Sequence, residues 1–397
     1  MTTWGWLVLG LVMLLTALAV AVVAMVRARQ MQSWIGSYVW PTESVKKWHS
    51  DDEIDVFIAV CDHWEPRCYG ASDEEAAARA NRWRDEYPKF HERFQDVNGR
   101  FPQHTFFFPE DEYRPEYLDA LRPLVDAGFG DVEVHLHHHD DTAAELHEKL
   151  DSFRRVLFDR HGFLRQDPQS GEILYAFIHG NWALCNSRAD GKLCGVDQEL
   201  TVLLNTGCYA DLTLPSAPSA TQTRTINSIY YAKDIPGQRK SHNTGVRARV
   251  GQAPPADHLL MIQGPLTLDW GSRRHGLIPR IENSDLHGGR PASIRRLKMW
   301  MNAGVCVAGR TDWRFVKLHT HGCKDDNINT FLGPEMQPFH EGLAELHRRH
   351  PNFRYHYVTA WDMAQLVHRA ENREASPMLV TTPTVLQRTS SALLNRN

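Results

Sequence analysis

Residues 132–141 read VEVHLHHHDD, an alternating β-branched run that ends in four imidazoles and two carboxylates. That is the pattern of a buried strand with its polar groups gathered at the carboxyl end. The same arrangement returns in both directions along the chain. VFIAVCDHWEP at 56–66 leads into Asp62, His63 and Glu65, and HTFFFPE at 104–110 into Pro109 and Glu110. LYAFIHGNW at 174–182 ends in His179, Asn181 and Trp182, the run at 208–214 holds Asp211, and FVKLHTHG at 315–322 ends in His319 and His321. Strands are expected at 56–61, 104–108, 132–137, 174–179, 208–214, 259–263, 315–319 and 355–358. Helical periods at 74–94, 116–127, 142–158, 198–205, 294–303 and 338–349 lie between them. Strand and helix in alternation predict repeated βα units, an α/β fold with seven or eight of them in a parallel sheet or barrel. In such a barrel the loops at the carboxyl ends of the strands converge over one mouth. The polar clusters stand where that mouth would gather them.

The amino end carries a different signal. Residues 4–26 contain no charge, and at 1.5 Å per residue they are long enough to cross a hydrocarbon core of about 30 Å. One transmembrane helix is expected. A cleaved signal peptide competes with it, since Ala19 and Ala21 resemble a cleavage site, but no Lys or Arg precedes the run. Arg27 and Arg29 follow, then Lys46 and Lys47, and by the positive-inside bias they keep the carboxyl side in the cytoplasm. The chain therefore divides into an anchor at 1–29, a linker at 30–52, a barrel at 53–370 and a tail at 371–397 without regular period. Residues 215–256, rich in Pro, Ser, Thr and Gly, are expected to form a long insertion over the site.

Composition narrows the chemistry. A formal charge of -4 over 397 residues, with no dense basic stripe, argues against a nucleic-acid partner. The 42% hydrophobic fraction is that of a folded chain. Seven cysteines without a CxxC pair disfavour a disulfide framework, although Cys185 and Cys194 could still be bridged. Histidine stands out: the chain has 22, and imidazole is both a common transition-metal ligand and a proton carrier near neutral pH.

Within the 132–141 segment, His135, His137 and His139 point to one face of a strand and His138 to the other. Two imidazoles can then converge on a divalent metal, whose nitrogen or carboxylate ligands lie at about 2.0 to 2.2 Å. Asp62 and His63 are the natural suppliers of further ligands. The competing reading is a polar cleft whose histidines hydrogen-bond the backbone, with Asp62 capping a helix. His319 and His321 share a face and could protonate a leaving group or form a structural pair. HGNWAL at 179–184 joins an imidazole, an amide and an indole, a mixture suited to sugar hydroxyls and pyranose faces.

The order of these motifs resembles that of the polysaccharide deacetylase superfamily, the NodB-type carbohydrate esterases. VCDHWEP at 60–66 is similar to the family's TFDDGP-like element, with Asp62 and His63 where paired aspartates stand. HTFFF, the helix end LRPLVDAG and HLHHH follow in the family's order, and place His135 and His139 at the metal-ligand positions of its HSxxH motif. HGNWA departs from the family's arginine and proline motif, while LHTHG matches its closing element and puts His319 at the general acid. The resemblance, over residues 54–370, implies a barrel of the glycoside hydrolase and deacetylase type and a divalent metal, zinc by preference. It implies Asp62 as base or ligand and His63 as third ligand, with His137, His179, Asn181, Trp182, Asp211 and His321 as substrate contacts. It further implies removal of acetyl groups from a polysaccharide. The chain is also similar to barrel proteins associated with bacterial exopolysaccharide synthesis, which implies a single-pass inner-membrane protein and a polysaccharide-synthesis complex as partner. Two rivals stand beside it: a glycoside hydrolase with two carboxylates flanking the scissile bond, and a non-catalytic glycan-binding subunit of an export complex.

Overall fold

Without a charge to interrupt it, the amino end folds as helix α1 (Thr3–Ala28), and the Thr2 hydroxyl accepts from the Gly5 N–H at 3.3 Å. The helix is long and apolar enough to span a membrane, a test that a signal sequence passes as well. None of its residues is buried. In this computed structural model, which describes residues 2–43 and 45–377, the chain then docks on the body. Met31 and Trp34 are buried with Ala217 and Leu266, and helix α2 (Ile35–Val39) follows. The stretch expected as a linker at 30–52 is thus held through its first third, because Met31, Trp34, Ile35 and Tyr38 together remove apolar surface from water. Most of the expected tail, 378–397, lies outside the described residues; Glu371, its first residue, is buried and accepts from the Tyr231 hydroxyl at 2.9 Å.

The body alternates as the hydrophobic runs dictate. Strand β1 (Ile54–His63), helix α3 (Asp73–His91), β2 (His104–Pro109), α4 (Pro115–Asp126), β3 (Gly130–Leu136) and α5 (Ala143–Arg155) come first. The short β4 (Arg165–Gln166), then β5 (Ile173–His179), α6 (Glu199–Asn205) and β6 (Cys208–Asp211) follow. The segment expected to cover the site instead contains β7 (Ile229–Ala232) and β8 (Val246–Arg247), which extend the sheet. The aromatic and branched run IYYA finds hydrogen-bond partners at a sheet edge that a surface lid would leave to water. Then come β9 (Leu259–Ile262), the hairpin β10 (Thr267–Arg274) and β11 (Ile278–Glu282), α7 (Ile294–Ala303), β12 (Trp313–Thr320), α8 (Asp325–Leu332), α9 (Gln337–Arg349), β13 (Phe353–Tyr357) and α10 (Ala360–Glu371).

Strands β12, β1, β2, β3, β5, β6 and β9 lie side by side and parallel, and β7 joins β9 antiparallel. β13 pairs with the first half of β1, below the point where β2 takes over the same edge. Among the described residues no ladder joins β12 to β8 or β9, so the fold is a mixed α/β structure built on a parallel sheet whose closure into a barrel is not seen. Its two faces are sorted by the period of two. Phe57, Ala59, Cys61, Phe107, Ile178, Leu212 and Phe315 face one core, which they share with Met363, Leu366 and Val367 of α10. Val56, Ile58, Phe106, Phe108, Val134, Phe177 and Leu318 face the other, against α3, α4 and α5. Carried to the strand ends, this alternation turns His63, His135 and His319 inward and Asp62, His179 and Asp211 outward.

Candidate metal centre

His63 closes β1, and the chain then folds sharply back. The Trp64 N–H donates to the Phe107 carbonyl at 3.1 Å, the Glu65 N–H donates to the His63 carbonyl at 3.0 Å, and the Trp64 ring packs on Phe106 and Phe108. The turn returns the Glu65 carboxylate to the side of His63. From β3 the inward His135 meets it, Nε2 at 3.1 Å from Glu65 Oε1, and His137, just beyond the strand, brings its Nε2 within 3.4 Å of the same oxygen. His321, past the end of β12, sets Nδ1 3.3 Å from Glu65 Oε2. The His63 ring lies 4.8 Å from that of His135, 4.6 Å from His321 and 5.7 Å from Trp182, which stands edge-on to His321. Donor atoms of His63, Glu65 and His135 all fall within 4.8 Å of one another, and all three residues are buried.

The hydrogen bonds behind these rings decide what the centre can hold. His135 Nδ1 lies 3.1 Å from the Ile178 carbonyl, which only accepts, so a neutral ring carries its proton on Nδ1 and turns the Nε2 lone pair toward Glu65. A lone pair against a carboxylate oxygen is repulsive unless a proton or a cation lies between. Burial pushes the His135 imidazole below its ordinary value, which disfavours the proton. His63 is pushed well below by burial and by the neighbouring His321 and His135, and neither of its buried ring nitrogens has a hydrogen-bond partner. Burial raises the Glu65 carboxyl, but the imidazoles of His135, His137 and His321 outweigh it and hold the group well below the carboxylate range. Burial likewise lowers His137, yet Asp111 at 3.0 Å and Glu65 overcome it and raise the ring to about 10. Two neutral imidazoles and an ionised carboxylate, one ring oriented by a carbonyl behind it, are a donor set that fits a divalent cation of the zinc class.

The structure gathers His63, His135, His137, His321 and Trp182 of the residues expected from the sequence, and it separates the others. His139 does not join His135: β3 ends at Leu136, Asp140 has φ 56°, and the chain turns outward. His139 is half exposed, its Nδ1 accepting from the Leu193 N–H at 2.9 Å. Asp62, expected as base or ligand, faces the helical layer; its Oδ2 lies 2.8 Å from His104 Nε2 and its Oδ1 accepts from the Gly322 N–H at 2.6 Å. Both its oxygens are committed to holding β1, β2 and the 320–324 turn together. His319 faces inward and is buried, with Nδ1 unpartnered and Nε2 4.0 Å from Asp285. His179 and Asp211 are buried on the outer face rather than lining the mouth. Asp211 bonds Thr213 Oγ1 at 2.7 Å and is pushed up to about 7 by burial. Asn181 is half-buried, and its N–H donates to His179 Nδ1 at 3.2 Å. Cys185 and Cys194 are not bridged, and all seven cysteines are free. Glu65 is the candidate ligand that motif order passed over; its signal is a carboxylate two residues after an inward histidine, with a tryptophan between them to anchor the turn.

The architecture and this centre define a class: an α/β protein with a buried histidine and glutamate site able to hold a cation at the carboxyl end of a parallel sheet. No family model and no curated relative matches the chain. Among solved structures it is similar to a Mycobacterium smegmatis protein provisionally described as a polysaccharide deacetylase, at 11% identity and TM-score 0.40, over 86% of this chain and 98% of that one. It is also similar to the 4-alpha-glucanotransferase of Thermococcus litoralis, at 11% identity and TM-score 0.39, over 79% of this chain and 40% of that one. Likenesses this remote leave the activity to be argued from the centre itself.

Proposed function

We propose that the protein is a metal-dependent hydrolase that removes acyl groups, acetyl foremost, from a polysaccharide or its precursor. The carrying observation is the Glu65 carboxylate 3.1 Å from His135 Nε2, beside a His63 ring with neither nitrogen partnered. Glu65, His63 and His135 are the residues that hold the cation. The chemistry a divalent cation supplies in such a site is polarisation of a carbonyl oxygen and acidification of water.

The remaining groups have work of their own. His137, whose Nδ1 is held 3.0 Å from the Asp111 carboxylate, is the group placed to protonate a departing amine or alcohol. His319 is the less able donor, because burial and the Lys317 and His321 charges push it well below its ordinary value. Trp182 and His321 offer the mouth an aromatic wall for a pyranose ring, and Asn181 an amide for its hydroxyls. A glycosidase would need two carboxylates free to flank a glycosidic bond, whereas Glu65 is enclosed by imidazoles. The acyl-carbohydrate substrate rests on the order of motifs along the chain. In the same reading α1 anchors the enzyme to a bacterial inner membrane, with Arg27 and Arg29 on the cytoplasmic side, beside the apparatus that makes the polymer.

The protein purified without added metal should carry a divalent cation and release acetate from acetylated glycans. Glu65→Gln and His135→Ala should each cut that release by more than about 100-fold, the order expected when a catalytic metal loses support. Acetate release unmoved by chelator and by both substitutions would reject the assignment.

A further inference from the structure

On the outer face of the sheet a second cluster uses His138, a residue of the histidine run that the first does not. His138 has the opposite parity to His135 and His137, and it meets His179 at the end of β5, Cys194 in the loop that follows, and Glu199 at the start of α6. One donor atom from each lies within 4.8 Å of the others, and all four residues are buried, with the side chains of His138, His179 and Glu199 at 0% exposure. Glu199 Oε1 lies 3.2 Å from His138 Nε2 and 3.8 Å from His179 Nε2; Oε2 lies 3.2 Å from Cys194 Sγ and accepts from the Cys185 N–H at 2.6 Å. Cys194 Sγ in turn accepts from the Asn186 N–H at 3.2 Å and the Val196 N–H at 3.4 Å. His138 Nδ1 faces Asp141 at 3.5 Å, and His179 Nε2, wholly buried, has no hydrogen-bond partner.

We infer that His138, His179, Cys194 and Glu199 bind a second divalent cation, structural in role and zinc by donor class. Two nitrogens, a sulfur and a carboxylate oxygen make up a four-coordinate set, and a set closed off by protein is the mark of a structural site. Charge separates the two centres. A thiolate and a carboxylate neutralise a dication, which suits a site without solvent, whereas the Glu65 centre brings one carboxylate and leaves positive charge for chemistry. Burial and the Glu199 charge push the Cys194 thiol up, and the two backbone N–H groups aimed at the sulfur oppose them, as a bound cation would. On binding, Cys194 gives its S–H proton to solvent. His179 moves its ring proton from Nε2 to Nδ1, so the Asn181 contact is the hydrogen bond that loading breaks.

The site also answers a mechanical need. Residues 180–198 form no regular element longer than one short turn, and Trp182, Cys185, Asn186 and Leu193 all adopt positive φ between 51° and 64°. Such backbone is held only where its surroundings over-determine it. A cation tying Cys194 and Glu199 to His138 and His179 fastens this loop at its far end, and the loop's near end presents Trp182 to the Glu65 centre.

Elemental analysis and cobalt substitution of the full-length protein test the inference. Two equivalents of divalent metal per chain are expected, falling to one in Cys194→Ser and in Glu199→Gln, with a lower Tm in both. His135→Ala should also fall to one equivalent while keeping the sulfur-bound cation. Cobalt-loaded wild type and His135→Ala should show a thiolate-to-cobalt charge-transfer band that Cys194→Ser lacks. Should the cysteine variant not fold, the wild-type and His135→Ala spectra still decide. Absence of the sulfur band in both overturns the second site, whereas one sulfur-bound equivalent in wild type that survives His135→Ala upholds it and removes the metal from the Glu65 centre instead.

Discussion

Glu65 and His139 show how little residue type alone decides. Both lie within a few positions of an inward strand end, yet the carboxylate enters the centre and the imidazole stays in solvent. His139→Ala is therefore expected to leave metal content and acetate release within twofold of wild type, as elemental analysis and a steady-state assay would read. A second residue-scale prediction concerns Lys317, whose ammonium is buried and donates to the Leu214 carbonyl at 3.2 Å. Burial lowers its pKa from 10.5 to about 8, against the opposing pull of Cys61 and Asp211. Between those values the unfolded chain binds the extra proton, so stability rises with pH across the window and the full cost is present below about 8. At neutral pH that cost is about 3 kcal/mol, and loss of the hydrogen bond to Leu214 returns about 1 of it. Lys317→Met should accordingly stabilise the fold by about 2 kcal/mol at pH 7, with the gain disappearing toward pH 10.5. Denaturant melts at the two pH values would check the sign, and a destabilised variant at pH 7 would contradict it.

At the scale of elements, the period of two in the strands places the chemistry. β1 turns His63 inward and Asp62 outward, and β3 with its extension sends His135 and His137 one way and His138 the other. Loops then set the spacing. Gly180 passes so close to His137 that a Cβ there would stand 2.2 Å from the ring's Cδ2 and 2.6 Å from its Nε2. Gly180→Ala must therefore displace His137, at about 1–3 kcal/mol of strain. The variant should lose acetate release at least tenfold while Asn181→Ala, next in the chain, keeps its fold and metal; equal losses in the two would point to the loop as a whole rather than to the ring.

Across the whole molecule the apolar helix α1 is expected to be separable from the body, with the boundary later than α1 itself. No residue of α1 is buried, whereas Met31 and Trp34 sit in a small core with Ala217 and Leu266. Deletion of residues 2–28 should leave the Tm of the remaining chain unchanged to within about 2 °C, less than 1 kcal/mol on a domain this size. Deletion of residues 2–40 should lower it by several degrees, since a fully buried tryptophan is worth about 3 kcal/mol or more. Thermal melts of the two truncations, with membrane association read by flotation, would distinguish an independent anchor from one whose removal unfolds the body.

What the sequence determined by itself was the part governed by local period. Eight apolar runs became the eight strands of the expected set, the uncharged amino end became one long helix, and the histidine clusters fell at strand ends, because alternation and length follow from backbone geometry alone. Tertiary structure decided the rest. Which of two adjacent residues entered a site depended on which sheet face the outer helices covered, as with Asp62 against His63. Glu65 arrived through a turn pinned by Trp64 on β2, and His138 found its companions on β5 and α6, some 40 to 60 residues away along the chain. Those partnerships come from long-range packing, and no local pattern of residues encodes them.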